Sequence, residues 1–127
     1  MALPAQGRTL LKTTDLESLR AQLREFAAAR DWDQFHSPKN LAMALSSEAG
    51  ELLEIFRWLT EEESRRLDPK AQAAASEEIA DVLLFLVRLA DKLGVDPVAA
   101  AERKLADNAE KYPVEKSKGS SKKYNEL

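Results

Sequence analysis

Three times in this chain a side-chain cap is followed at once by proline: Ser37-Pro38, Asp68-Pro69 and Asp96-Pro97. A cap oxygen satisfies one of the free amide donors of a helix's first turn, and proline at the first helical position fixes φ there at no cost in hydrogen bonds. Each pair therefore opens a helix. No stretch of the sequence alternates as a half-buried strand would, so the chain is constrained to an all-α fold.

The first helix is expected from Thr14, whose spacing to Glu17 is that of a capping box, and carries Leu16, Leu19, Leu23, Phe26 and Ala27 at helical intervals to about Arg30. The second runs from Pro38 to about Leu59, and the acidic Glu61, Glu62 and Glu63 after Thr60 suit a short linking helix. The third runs from Pro69 to about Leu93, with Gly94 as a left-handed terminator, and the fourth from Pro97 to near Lys111, where Pro113 stops it. Residues 1–13 read as a tail, 14–113 as one helical catalytic domain, and 114–127 as a basic tail of four lysines against two glutamates, for which disorder is the simpler expectation. The expected architecture is a four-helix bundle with a short linking helix. Because so short a chain gives one thin layer of helices, an enclosed site would be completed by oligomerisation, as a homodimer or a dimer of dimers, with the first and third helices as contact surfaces.

Composition removes several classes of function. With 127 residues, 44% apolar and 32% charged, the chain is one ordinary globular domain. It has no cysteine, so thiolate metal sites, disulfides and a cysteine nucleophile are out. A net charge of −3 speaks against a nucleic-acid-binding face. The first residues lack the basic and apolar blocks of a signal peptide, and the most apolar run, residues 82–87, is too short for a bilayer; a cytoplasmic protein without membrane contact is expected.

What the fold does not explain is a set of acids. At about 100° per residue, Glu48 falls in the middle of the apolar stripe Leu41, Ala44, Leu45, Leu52, Ile55 and Leu59, and Glu51 lies one turn on. The third helix repeats the anomaly with Glu78 and Asp81, just before a run that is apolar all round and therefore central. Unpaired carboxylates in such a setting cost several kcal/mol. Arg88 is the best cation on that helix and could pair with only one of them. A divalent ion relieves all four, and an all-oxygen donor set favours Mg²⁺, Mn²⁺ or Ca²⁺ over zinc or copper, with Mg²⁺ the first choice and Mn²⁺ its substitute. Mg²⁺ keeps open positions for waters and phosphates, so the ligand is a phosphorylated one.

The sequence also resembles a known family, the MazG-like all-α nucleotide pyrophosphohydrolases, and within it the branch acting on dCTP. The likeness rests on RDWDQFHSPKNL at residues 30–41, SSEAGELLEIFRWLT at 46–60, EEIADVLLFLVRLA at 77–90 and KLADNAEKYP at 104–113, and extends over the ending GSSKKYNEL. It implies that Glu48, Glu51, Glu78 and Asp81 bind Mg²⁺, and that a nucleoside triphosphate, dCTP or a modified relative, is cleaved to the monophosphate and pyrophosphate. One departure is Ser47, where the family often has a second glutamate; a serine cannot supply a full charge as base or ligand.

Taken alone, Trp32 and Trp58 are more simply core residues, since tryptophans bury large areas wherever they occur. The resemblance instead implies that Trp32, His36 and Trp58 line a nucleoside pocket. No serine or acid frames His36 as a catalytic base, so a hydrogen bond to base or sugar is its expected role. Phe85, one turn after Asp81, is either core or the pocket floor. Lys104, Asn108, Lys111 and Tyr112 fall at spacings that let most share a face of the fourth helix, which the resemblance carries to the triphosphate and sugar. Glu51 is the first choice for the group that activates water, with Glu48 beside it. Two rival readings exist. A helical oligomerisation or binding module with an acidic face would be indifferent to Mg²⁺, and a di-metal carboxylate bundle would want Glu-x-x-His pairs, which this sequence lacks.

Overall fold

The cap-proline pairs do what their chemistry demands. In the computed structural model, which describes residues 15–127, Ser37 Oγ accepts from the Asn40 amide at 3.1 Å, Asp68 Oδ1 from Ala71 at 2.7 Å, and Asp96 Oδ1 from Val98 and Ala99 at 3.0 and 3.1 Å. The elements are α1 (Leu16–Ala29), a 3₁₀ turn (Asp33–Phe35), α2 (Pro38–Phe56), α3 (Glu61–Ser64), α4 (Pro69–Lys92), α5 (Pro97–Lys111), α6 (Val114–Ser117) and a closing 3₁₀ turn (Tyr124–Glu126). Among the described residues there is no strand, and no helix is long and apolar enough to cross a membrane.

Three boundaries differ from expectation, each for a local reason. The first helix is capped by Asp15, whose Oδ1 accepts from the Ser18 amide at 2.7 Å, and Glu17 pairs with Arg20 instead of closing a box. Thr14 and the tail expected at 1–13 lie outside the described residues. α1 terminates through Asp31, which takes the left-handed φ of +55° that short polar side chains tolerate after a helix. α2 stops at Phe56 because Thr60 and Glu63 form a reciprocal capping box for α3, and the chain must turn before it.

The chain divides into two compact units, one ending at Gly94 and the other spanning Val95–Leu127. In the first, α4 is the central element: it packs most extensively on α2 and also on α1. The core is made of small and branched residues, Ala27, Leu41, Ala75, Val87 and Ala90, which let helix axes approach closely. The stripe Leu41, Ala44, Leu45, Leu52, Ile55 and Leu59 is buried or half-buried throughout, as its periodicity requires. Asp91, with a side chain only 6% exposed, joins α4 to α1: its carboxylate receives Arg24 Nε at 2.7 Å and Nη2 at 2.5 Å, and Arg20 Nη1 at 3.2 Å. Those hydrogen bonds, Arg24's first, hold its pKa below the usual carboxylate value. The apolar run of α4 is not covered all round within this unit. Ile79, Leu83 and Leu86 remain exposed along one side.

In the second unit the chain after Pro113 is folded onto the end of α5. Tyr124 meets Tyr112 edge-to-face at 6.2 Å, and Lys111 Nζ stands 5.1 Å from the Tyr124 ring. Val114–Ser117 and Tyr124–Glu126 form short helical turns, and Tyr124 docks on the end of α5, where disorder was the simpler expectation.

Candidate active site

Glu48 and Glu51 stand one turn apart on α2, and Glu78 and Asp81 one turn apart on α4, the two helices of the first unit that pack most closely. Glu48, Glu78 and Asp81 each bring a carboxylate oxygen within 4.8 Å of the other two, and all three are half-buried. Glu51 is exposed; it stands against Glu48 and Glu78, outside that group of three. Oε2 of Glu48 and Oε2 of Glu78 are buried without a donor from the rest of the protein. What remains open to them is a proton held between carboxylates. Accordingly Glu48 is pushed up to about 7, first by its hydrogen bond with Glu78, then by that with Glu51 and by desolvation. Burial raises Glu78 as well.

Among the described residues no lysine or arginine pairs with Glu48, Glu78 or Asp81. Arg88, the cation expected to serve one of them, is committed elsewhere. Its Nη2 donates to Asp33 Oδ1 at 2.6 Å, its Nε to His36 Nδ1 at 3.1 Å, and its Nη1 lies 3.5 Å from Asp91 Oδ2. A guanidinium is a fork whose donors point outward in one plane, and here the fork is filled by the loop after α1 and by Asp91. The acids on α2 and α4 therefore keep their charge problem. Hard oxygens alone, two of them buried and unsatisfied, fit a divalent cation such as Mg²⁺.

The aromatic loop is built by local bonds. The Trp32 amide donates to Ala27 O at 2.9 Å, Asn40 Nδ2 donates to Phe35 O at 3.0 Å, and the Trp32 ring meets Phe26 edge-on at 5.7 Å. Neither tryptophan is core: Trp32 is 44% and Trp58 76% exposed, the latter with the Arg57 guanidinium over its ring at 4.5 Å. That removes the simpler reading of both. His36 and Phe85 are half-buried. His36 keeps a pKa below its ordinary 6.5, first through desolvation and then through the Arg88 charge.

The residues expected on the fourth helix belong to the second unit. Lys104 is exposed and Asn108 half-buried on α5, Lys111 closes that helix under Tyr124, and Tyr112 is its C-terminal cap, with its amide donating to Asn108 O at 2.8 Å. Sequence reasoning missed Asp33, Lys92 and Asp91. The available signal was Arg88 itself, a charge embedded in an apolar helix and as anomalous there as Glu48.

An all-helical domain with a hard-oxygen centre between two packed helices is the class that fold and site define. A family model described as MazG-like matches residues 43–127. The dCTP pyrophosphatase 1 proteins of Rattus norvegicus and of Homo sapiens are each 46% identical to this chain over 114 residues, covering 88% of it and 67% of their own length. A crystal structure of a pyrophosphatase from Archaeoglobus fulgidus superposes with a TM-score of 0.74 at 40% identity, over 81% of this chain and 96% of that one. The chain belongs to the MazG-like family.

Proposed function

We propose that dCTP, or a modified relative, is the substrate of this nucleotide pyrophosphohydrolase, and that it leaves as the monophosphate and pyrophosphate. The observation that carries the reading is the pair of buried, donorless oxygens on Glu48 and Glu78 with Asp81 beside them. Similarity to proteins named dCTP pyrophosphatase 1 supports the choice of base. Membership in a family of hydrolases leaves the binding module and the di-metal bundle without support.

Glu48, Glu51, Glu78 and Asp81 would hold Mg²⁺, with Mn²⁺ as a substitute. Such an ion, when bound, neutralises charge on phosphate oxygens and lowers the pKa of water. Glu51, the one member of the set open to solvent, would take the proton of the attacking water, while Glu48, Glu78 and Asp81 would hold the cation that offsets the charge of the phosphates. Trp32 and Trp58 offer ring faces that no core packing has consumed, and with His36 and Phe85 they form our proposed nucleoside site. Lys104, Asn108, Lys111 and Tyr112 serve the triphosphate and sugar in this reading. The exposed Ile79, Leu83 and Leu86 support a working homo-oligomer in which a second copy covers α4. We place the protein in the cytoplasm, where the nucleotide pools it would act on are found.

The test offers each deoxy- and ribonucleoside triphosphate with Mg²⁺ and assays pyrophosphate and orthophosphate separately. Pyrophosphate in equal yield with the monophosphate, fastest from dCTP and stopped by EDTA, is the expected result. Orthophosphate with the nucleoside diphosphate, in place of pyrophosphate with the monophosphate, overturns cleavage between the first and second phosphates, and EDTA-resistant turnover overturns the metal.

A further inference from the structure

Arg88 is only 5% exposed, on the same helix as two of the acids, and it touches none of them. Its guanidinium instead grips the loop between α1 and α2 at two points, Asp33 and His36, and leans back on Asp91 of its own helix. Lys92 pairs with the same Asp33 carboxylate, and Asp91 is held from the other side by Arg20 and Arg24. The loop carrying Trp32, Phe35 and His36 is thus tied to α4 by a buried fork. From Asp81 to Arg88 is seven residues, two turns on one face, or about 10 Å of helix rise. That is roughly the reach of a nucleotide from its phosphates to its base.

The contact with His36 has a chemical consequence. Arginine is always protonated and has only donors, so the imidazole nitrogen facing it must be an acceptor. Nδ1 therefore carries no proton, and the neutral ring bears it on Nε2. Protonating Nδ1 would set an N–H against an N–H, beside the charges of Arg88 and Lys92 and with only Asp33 to oppose them. His36 is left as a fixed donor that selects a hydrogen-bond acceptor, such as the carbonyl or ring nitrogen of a pyrimidine.

We propose that Arg88 is a positioning residue for the base: it sets the distance of the aromatic loop from the carboxylate centre and locks His36 as a neutral Nε2–H donor. This rests on the proposed nucleoside site. The test is Arg88→Lys, which keeps the charge and loses the fork, with Asp33→Asn as a second variant that breaks the same bridge at its exposed end. For dCTP with Mg²⁺, the expected result in both is a KM raised about ten-fold with kcat within about three-fold of wild type, because binding geometry is lost and the reacting centre is not. Nitrogen NMR of the wild type without nucleotide should show the His36 Nε2–H tautomer alone, and Arg88→Lys, which loses the Nε–Nδ1 contact, a mixture of tautomers. An unchanged KM, a fall in kcat at constant KM, or a wild-type tautomer signature in folded Arg88→Lys overturns the proposal. Because the NMR arm needs no substrate, a wild type inert towards dCTP would sink the substrate assignment while leaving the positioning of His36 separately readable.

Discussion

Glu48→Gln is expected to lose Mg²⁺-supported hydrolysis by roughly two to three orders of magnitude, while the metal-free protein at pH 8 becomes more stable than the wild type. Both effects have one cause. Glu48 Oε2 is buried without a donor, and the neighbouring carboxylates hold its pKa at about 7 against an ordinary 4.5. The folded chain therefore binds a proton more tightly than the unfolded chain. The stabilising share of that proton is fully present below about 4.5 and is lost as pH rises towards about 7. Glutamine removes the charge and with it this slope. Melting temperatures at pH 5.5 and 8, with EDTA and with Mg²⁺, check the point: the wild type without metal should be less stable at the higher pH and regain stability on adding Mg²⁺. A variant that still gains stability from Mg²⁺, or a flat metal-free wild type, would remove Glu48 from the centre.

The second large effect concerns the core. Leu41→Ala should cost about 3 kcal/mol, the usual range for a buried leucine being about 2–5. Leu41 is 2% exposed in the first turn of α2 and is the one large side chain among the described residues that is fully enclosed. The rest of the core is alanine and valine, which can neither reach across nor refill the space. Against the total of about 5–15 kcal/mol typical of a domain, the loss is a large fraction. Chemical denaturation should show a lower midpoint at an unchanged slope. Leu53→Ala, at an exposed position on the same helix, should cost well under about 1 kcal/mol in the isolated chain. Equal losses from the two would mean that Leu41 does not anchor the packing of α2.

Much of this was legible because helical periodicity is a local property. Three caps, three prolines and a stripe of leucines put Glu48, Glu78 and Asp81 on inward faces before any coordinates were needed, and the same stripe is the one α2 buries. Long-range pairing is not local. Nothing in the spacing of Arg20, Arg24 and Asp91, more than sixty residues apart in sequence, says that they meet. Arg88 shares a helix and a face with Asp81, yet two turns of helix rise, about 10 Å, carry its guanidinium to Asp33 and His36 instead. The tryptophans show a related limit: residue type sets how much area a ring can bury, which made a core role the simpler reading of the residues alone, and only the packed helices decide whether it does. Asp31 in a left-handed conformation carried no glycine signal at all.

The two indoles of this chain are its whole supply of tryptophan fluorescence, and both look outward. Their emission in the native protein should already be red-shifted, so denaturation followed by this probe will show a small change even where circular dichroism shows a large one. Stacking of a nucleobase should instead quench them. For this molecule the simplest optical signal is a titration readout for ligand, and a poor thermometer of the fold.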